Sequence, residues 1–145
     1  MQGIRGGLSA VEGALHGLLL AFPIALFTSA LITDIAYLRT AQIQWTNFSA
    51  WLIAGALVGG GAVLAWSLIR LLLAWRTPAR RVRAIYAAVV AVMWGLGLIN
   101  AFKHSQDAWS SVGAFGVTLS LICTLLALTA GAIAFSGWLD REVVR

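Results

Sequence analysis

Thr40-Ala-Gln-Ile-Gln-Trp-Thr-Asn-Phe-Ser-Ala-Trp-Leu-Ile-Ala-Gly-Ala-Leu-Val-Gly-Gly-Gly-Ala-Val-Leu-Ala-Trp-Ser-Leu-Ile69 holds no formal charge across the 30 residues between Arg39 and Arg70. A helix crosses a hydrocarbon core with roughly 20 apolar residues, so this stretch is long enough to span a bilayer. Three more gaps repeat the pattern: 21 residues between Glu12 and Asp34, 19 between Arg83 and Lys103, and 32 between Asp107 and Asp140. Together they take up most of the chain. The spacing predicts one integral membrane domain over 1–145, with helices near 11–33, 48–72, 84–102 and 112–138.

Composition agrees. The chain is 61% hydrophobic and only 10% charged, against about 25% charged in a soluble domain. Its mean hydropathy is +0.90. The polar surface is too small to coat a soluble globule, and the short connections leave no room for a hydrolase, kinase or dinucleotide-binding fold. The fold class read from the sequence is therefore an all-α membrane protein, a four-transmembrane-helix bundle without catalytic machinery of its own.

The basic residues orient it. With four spans both termini share a side, and Arg5, Arg70, Arg76, Arg80, Arg81, Arg83, Arg141 and Arg145 fall there, leaving Arg39 and Lys103 opposite. Lys and Arg concentrate on the cytoplasmic side of membrane proteins, so N and C termini are both expected in the cytoplasm. The loop from Arg76 to Arg83 is the main anchor, suited to anionic lipid. Topology thus accounts for the net charge of +5, and nucleic acid is not a predicted partner. The first apolar stretch is long for a cleaved signal segment, and Glu12 directly precedes it. Trp45, Trp51 and Trp109 fall near one interface and Trp75 and Trp138 near the other, the level indole rings prefer. Trp66 and Trp94 lie deeper.

Small residues mark packing faces. Gly13 and Gly17 in helix 1, and Gly55 and Gly59 in helix 2, each have the four-residue spacing that lets membrane helices approach closely. The pattern serves contacts within the chain or contacts to a second copy or partner subunit. Pro23, mid-helix, removes a backbone hydrogen bond and predicts a kink.

Polar residues inside membrane spans are costly and therefore candidates for function. Glu12 and His16, four apart, share a helix face, where a carboxylate orients and charges an imidazole. Helix parity brings Tyr86 and Glu142 to the same membrane face. These four form the candidate cluster, either a quinone or other ligand site or a structural polar group. No metal set is expected: Cys123 is the sole cysteine, and the two histidines, His16 and His104, lie at opposite faces. That separation also prevents one chain from holding haem b through both, leaving His16 with Met93 or with another subunit's ligand. Asp34 is expected to close helix 1 as a solvated carboxylate near Arg39. Between Asp34 and His16 only Thr28, Ser29, Thr33, Thr124 and Thr129 offer polar steps, a thin path for a transporter.

His16, then Phe22-Pro23 and Ala25-Leu26, with Asp34 after them, and later Gly137-Trp138-Leu139 followed by Glu142-Val143-Val144, resemble the family known as domain of unknown function 2231. Its members are small bacterial four-helix membrane proteins, and the resemblance covers nearly the whole chain. Three positions depart from it. Gly17 stands where a proline usually follows the histidine, Tyr86 where a second histidine usually stands, and Asp140-Arg141 where two glycines usually precede the glutamate. The resemblance implies association with redox proteins in the bacterial inner membrane. It suggests an accessory subunit that anchors or stabilises an electron-transfer assembly near the quinone pool, with lipid and redox subunits as partners. A small transporter or channel subunit is the alternative, and a haem b or quinone-binding protein the third reading. The resemblance leaves the cofactor unknown.

Overall fold

The computed structural model describes residues 2–106 and 112–136, with residues 2–9 as backbone only. The helices are α1 (Gln2–Thr40), α2 (Ile43–Leu73), α3 (Arg80–His104) and α4 (Ala114–Phe135). All four are long and apolar enough to cross a membrane. Each packs against its neighbours in chain order, and α4 closes the ring against α1. This multi-pass, four-helix architecture is the one the charge gaps predict.

The helix ends differ from expectation, mostly at α1. Asp34 does not terminate it; the helix runs on to Thr40 and turns into α2 through Ala41 and Gln42, with Ala41 at φ 53°. Ala41 thereby occupies the left-handed region that side chains other than glycine rarely adopt. Pro23 lies inside α1 without ending it. At 1.5 Å per residue, the 31 residues of α2 extend about 46 Å and the 22 of α4 about 33 Å. The first two helices therefore outreach the hydrocarbon core, while the last fits it. Asp34 is level with His104, the last residue of α3, so the α1–α2 turn projects about 9 Å beyond it.

Leu20, Phe27, Ala30, Ile53, Ala56, Val63, Val90, Met93, Cys123, Ala127 and Ala130 fill the centre of the bundle. Outside, Trp51, Val58, Leu72, Leu73 and Phe102 are exposed, the surface a lipid solvent requires. Close approach depends on glycine at two places. A Cβ on Gly59 would sit 2.6 Å from Phe22 Cβ, and one on Gly97 would sit 2.8 Å from the Phe27 ring. Gly55 meets Leu26 on the same α1 face. The Gly55/Gly59 row thus faces α1, whereas Gly13 has nothing within 4 Å. Trp94, half-buried, ties α3 to α2 by donating its Nε1–H to the Leu57 carbonyl at 3.0 Å.

A cavity at the basic face and a sealed cluster opposite

The end of the bundle with the α2–α3 loop carries Arg70, Arg76, Arg80, Arg81 and Arg83. There the start of α1, the end of α2, the start of α3 and the end of α4 leave a cavity of about 180 Å³. It is lined by Glu12, His16, Trp66, Arg70, Tyr86 and Phe135, among others. Three of the four residues grouped by helix parity therefore meet at one space. Glu142 lies outside the described residues, as do Trp109 and Trp138.

The pairing inside the cavity is not the one that helix spacing suggests. Glu12 accepts from Arg70 Nη1 at 2.8 Å, not from His16. His16 Nε2 instead lies 2.8 Å from the Tyr86 hydroxyl. The i,i+4 relation puts Glu12 and His16 on one face, but it cannot exclude a long arginine arriving from α2. His16 is further held by the Trp66 ring, stacked at 6.3 Å, and by the Tyr86 ring, edge-on at 5.5 Å. Its Nδ1 has no hydrogen-bond partner among the described residues. Tyr86 is almost wholly buried. Arg83 Nη1 donates to the Arg70 carbonyl at 3.1 Å, joining the α2 end to the start of α3. Arg80 lies 3.8 Å over the Trp75 ring at the same rim. Gly17 packs on Phe135, at the α4 edge of the cavity. The site is half aromatic wall and half hydrogen-bonding group, and it is open to the rim.

The opposite end is closed. Asp34 is wholly buried, not solvated beside Arg39 as expected, because both its oxygens have partners inside the bundle. Oδ1 lies 2.9 Å from His104 Nε2, and Oδ2 accepts from the Ser120 hydroxyl at 2.5 Å. Asn100 Nδ2 donates to Ser120 Oγ at 2.9 Å, and His104 Nδ1 bonds the Asn100 carbonyl at 2.9 Å. Asp34, Asn100, His104 and Ser120 expose essentially no surface. On the α2 side Thr33 and Ser49 hydroxyls meet at 2.6 Å, and Ser49 donates to the Ala30 carbonyl. Sequence reading placed Asp34 and His104 at the ends of their helices but did not join them. Their partners lie 70 and 86 residues from Asp34, beyond any local signal.

A family model described as predicted membrane protein (DUF2231) matches residues 12–144. No curated protein and no solved structure matches the chain.

Proposed function

The chain belongs to DUF2231, a family of predicted membrane proteins, and on that premise we propose that its cavity receives a quinone head group. In this reading the protein is a non-catalytic subunit of the bacterial inner membrane. It anchors or stabilises an electron-transfer assembly at the quinone pool, and the basic face is cytoplasmic, as the distribution of Lys and Arg favours.

The observation that carries the reading is the cavity itself. About 180 Å³ is slightly more than the ~150 Å³ that accommodates one benzene ring, the scale of a single substituted ring. Trp66, Tyr86 and Phe135 supply aromatic walls for stacking. His16 presents Nδ1 as the free hydrogen-bonding atom, while Tyr86 fixes its other nitrogen. A ring oxygen between His16 and the arginine rim would find donors without breaking the Glu12–Arg70 pair. A lipid-soluble tail would leave along the apolar outer surface of α1 and α4.

Haem does not fit this cavity. Its macrocycle is far larger than one ring, His16 Nε2 already faces Tyr86, and Met93 belongs to the central core. The channel reading has less support, because the buried centre between the two polar ends is apolar among the described residues.

Purified protein in lipid nanodiscs, titrated with a short-tailed quinone and followed by tryptophan fluorescence quenching, tests the proposal. His16→Ala should weaken binding roughly three- to tenfold, the worth of one hydrogen bond, and lower quinone-linked turnover of the assembled complex while leaving assembly intact. Equal affinity in wild type and variant, or no quenching in either, overturns the quinone reading. Failure of the wild-type chain to co-purify with a redox protein overturns the accessory-subunit reading separately.

A further inference from the structure

The sealed cluster at the far face is not used by the cavity, and its hydrogen bonds restrict where its protons sit. A backbone carbonyl only accepts, so His104 Nδ1, 2.9 Å from the Asn100 carbonyl, must bear a hydrogen. An amide nitrogen only donates, so Asn100 Nδ2 fills one acceptor position of Ser120 Oγ and the serine hydrogen points at Asp34 Oδ2. One further proton lies between His104 Nε2 and Asp34 Oδ1. Without it, two lone pairs would face each other at 2.9 Å in a dry site. Counted this way the cluster is neutral overall, an imidazolium with a carboxylate or an imidazole with a carboxylic acid.

One acceptor is left over. Asn100 Oδ1 is buried and has no hydrogen-bond partner among the described residues, and leaving such a group unpaired is costly. It belongs to the same amide that already bonds Ser120. Turning that amide over would offer Oδ1 to the serine hydroxyl. Ser120 would then be free to accept a hydrogen from Asp34 instead of donating one.

We propose that Asp34, His104, Ser120 and Asn100 form a proton-binding site that takes up one proton on Asp34 Oδ2 through the Ser120 hydroxyl. The step balances. When the closed cluster opens transiently to the nearer membrane face, a hydronium gives a proton to Ser120 Oγ and departs as water, while Ser120 passes its own hydrogen to Asp34 Oδ2. The Asn100 amide turns, and its Oδ1 accepts the new serine hydrogen. The loaded site is a neutral aspartic acid beside an imidazolium, and release reverses each movement. Exchange is with the nearer membrane face, since the apolar core begins at Phe27 and Cys123.

Among the described residues few other charges act at this level; Asp107 lies outside them. On α1 Tyr37 and the exposed Arg39 follow Asp34, and on α3 the Lys103 ammonium is turned to Gln106. From α2 come only the hydroxyls of Thr46 and Ser49, and from α4 those of Ser120 and Thr124, with the Cys123 thiol one turn further in. The proposal does not depend on what the cavity at the other end binds.

The test is infrared difference spectroscopy of the full chain in lipid, between neutral and acidic buffer, with proton uptake followed by a pH-indicator dye. Wild type should show a carboxylic-acid carbonyl component on acidification that Asp34→Asn lacks, and should take up one proton more per chain than Asp34→Asn does, the other acidic residues contributing equally to both. An unchanged band in Asp34→Asn, or no such component in wild type, overturns the proposal. If Asp34→Asn does not fold, Ser120→Ala decides: a band displaced by loss of its hydrogen-bond partner supports the site, and an undisplaced band overturns it.

Discussion

The two ends of the bundle hold similar chemistry under opposite conditions. Each pairs a carboxylate with a cationic or imidazole group and has a histidine with a hydroxyl-bearing neighbour. At the far face these groups expose no surface and bond one another across α1, α3 and α4. At the basic face the Glu12–Arg70 pair is roughly half exposed, at 50% and 40%, and borders a cavity. Water and lipid head groups can stand in for a lost partner at the open end. At the closed end the described groups expose no surface through which either could do so. The same residue types are therefore expected to contribute mainly to stability at one end and mainly to ligand binding at the other.

The strongest way to break that contrast is Asp34→Ala. It removes the acceptor for both His104 Nε2–H and Ser120 Oγ–H in a site without solvent. Removing one member of a buried pair costs about 3–5 kcal/mol, and folded yield and thermal stability in detergent should fall accordingly. A loss below about 1 kcal/mol would mean that water reaches the cluster after all, and the distinction between the ends would fail.

Gly59→Leu examines the packing that holds both ends in place. The first added carbon would already meet Phe22 Cβ at 2.6 Å, so α1 and α2 must separate. Overpacking costs about 1–3 kcal/mol, read as reduced monodisperse yield. Gly13→Ala, at a position with nothing within 4 Å, should leave yield unchanged.

How much of this was legible follows from the reach of each signal. Charge gaps report length against bilayer thickness, so four spans could be read directly from Glu12, Asp34, Arg39, Arg70, Arg83, Lys103, Asp107 and Asp140. Helix parity then assigned His16 and Tyr86 to one face, and they share a hydrogen bond there. The end of α1 could not be read. Asp34 looked like a boundary because an isolated charge belongs in water, and only His104 and Ser120 make it acceptable inside. The Glu12–Arg70 pair was hidden for a related reason: periodicity identifies a face but not the neighbouring side chain that reaches it.

Tyr86→Phe sharpens the comparison at intermediate scale. It deletes the hydroxyl opposite His16 Nε2 and keeps the ring that packs on it. His16 is only half-buried beside the cavity, so water can replace the hydroxyl. The expected stability loss is about 1 kcal/mol or less, with a larger proportional effect on quinone affinity, because the imidazole loses the contact that fixes its orientation. A loss near that of Asp34→Ala would identify the basic-face histidine as part of the scaffold.

The smallest effect should come from Glu12→Gln. The carboxylate and the Arg70 guanidinium meet at 2.8 Å, yet both remain substantially exposed. Exposed pairs of this kind contribute about 0–1 kcal/mol, because water screens the attraction and both side chains lose freedom in forming the pair. The glutamine retains an oxygen able to accept from Arg70, so about 0.5 kcal/mol or less should be lost in thermal unfolding. The charge change matters more for the cavity than for the fold. With Glu12 neutral, Arg70 keeps its hydrogen bond but is no longer compensated, and the rim becomes more attractive to anions. Glu12→Gln should therefore leave stability nearly unchanged while an anionic quinone analogue binds more tightly than its neutral counterpart. Destabilisation comparable to that of Asp34→Ala would show that the open end is as dry as the closed one, and the two ends would then need a single explanation.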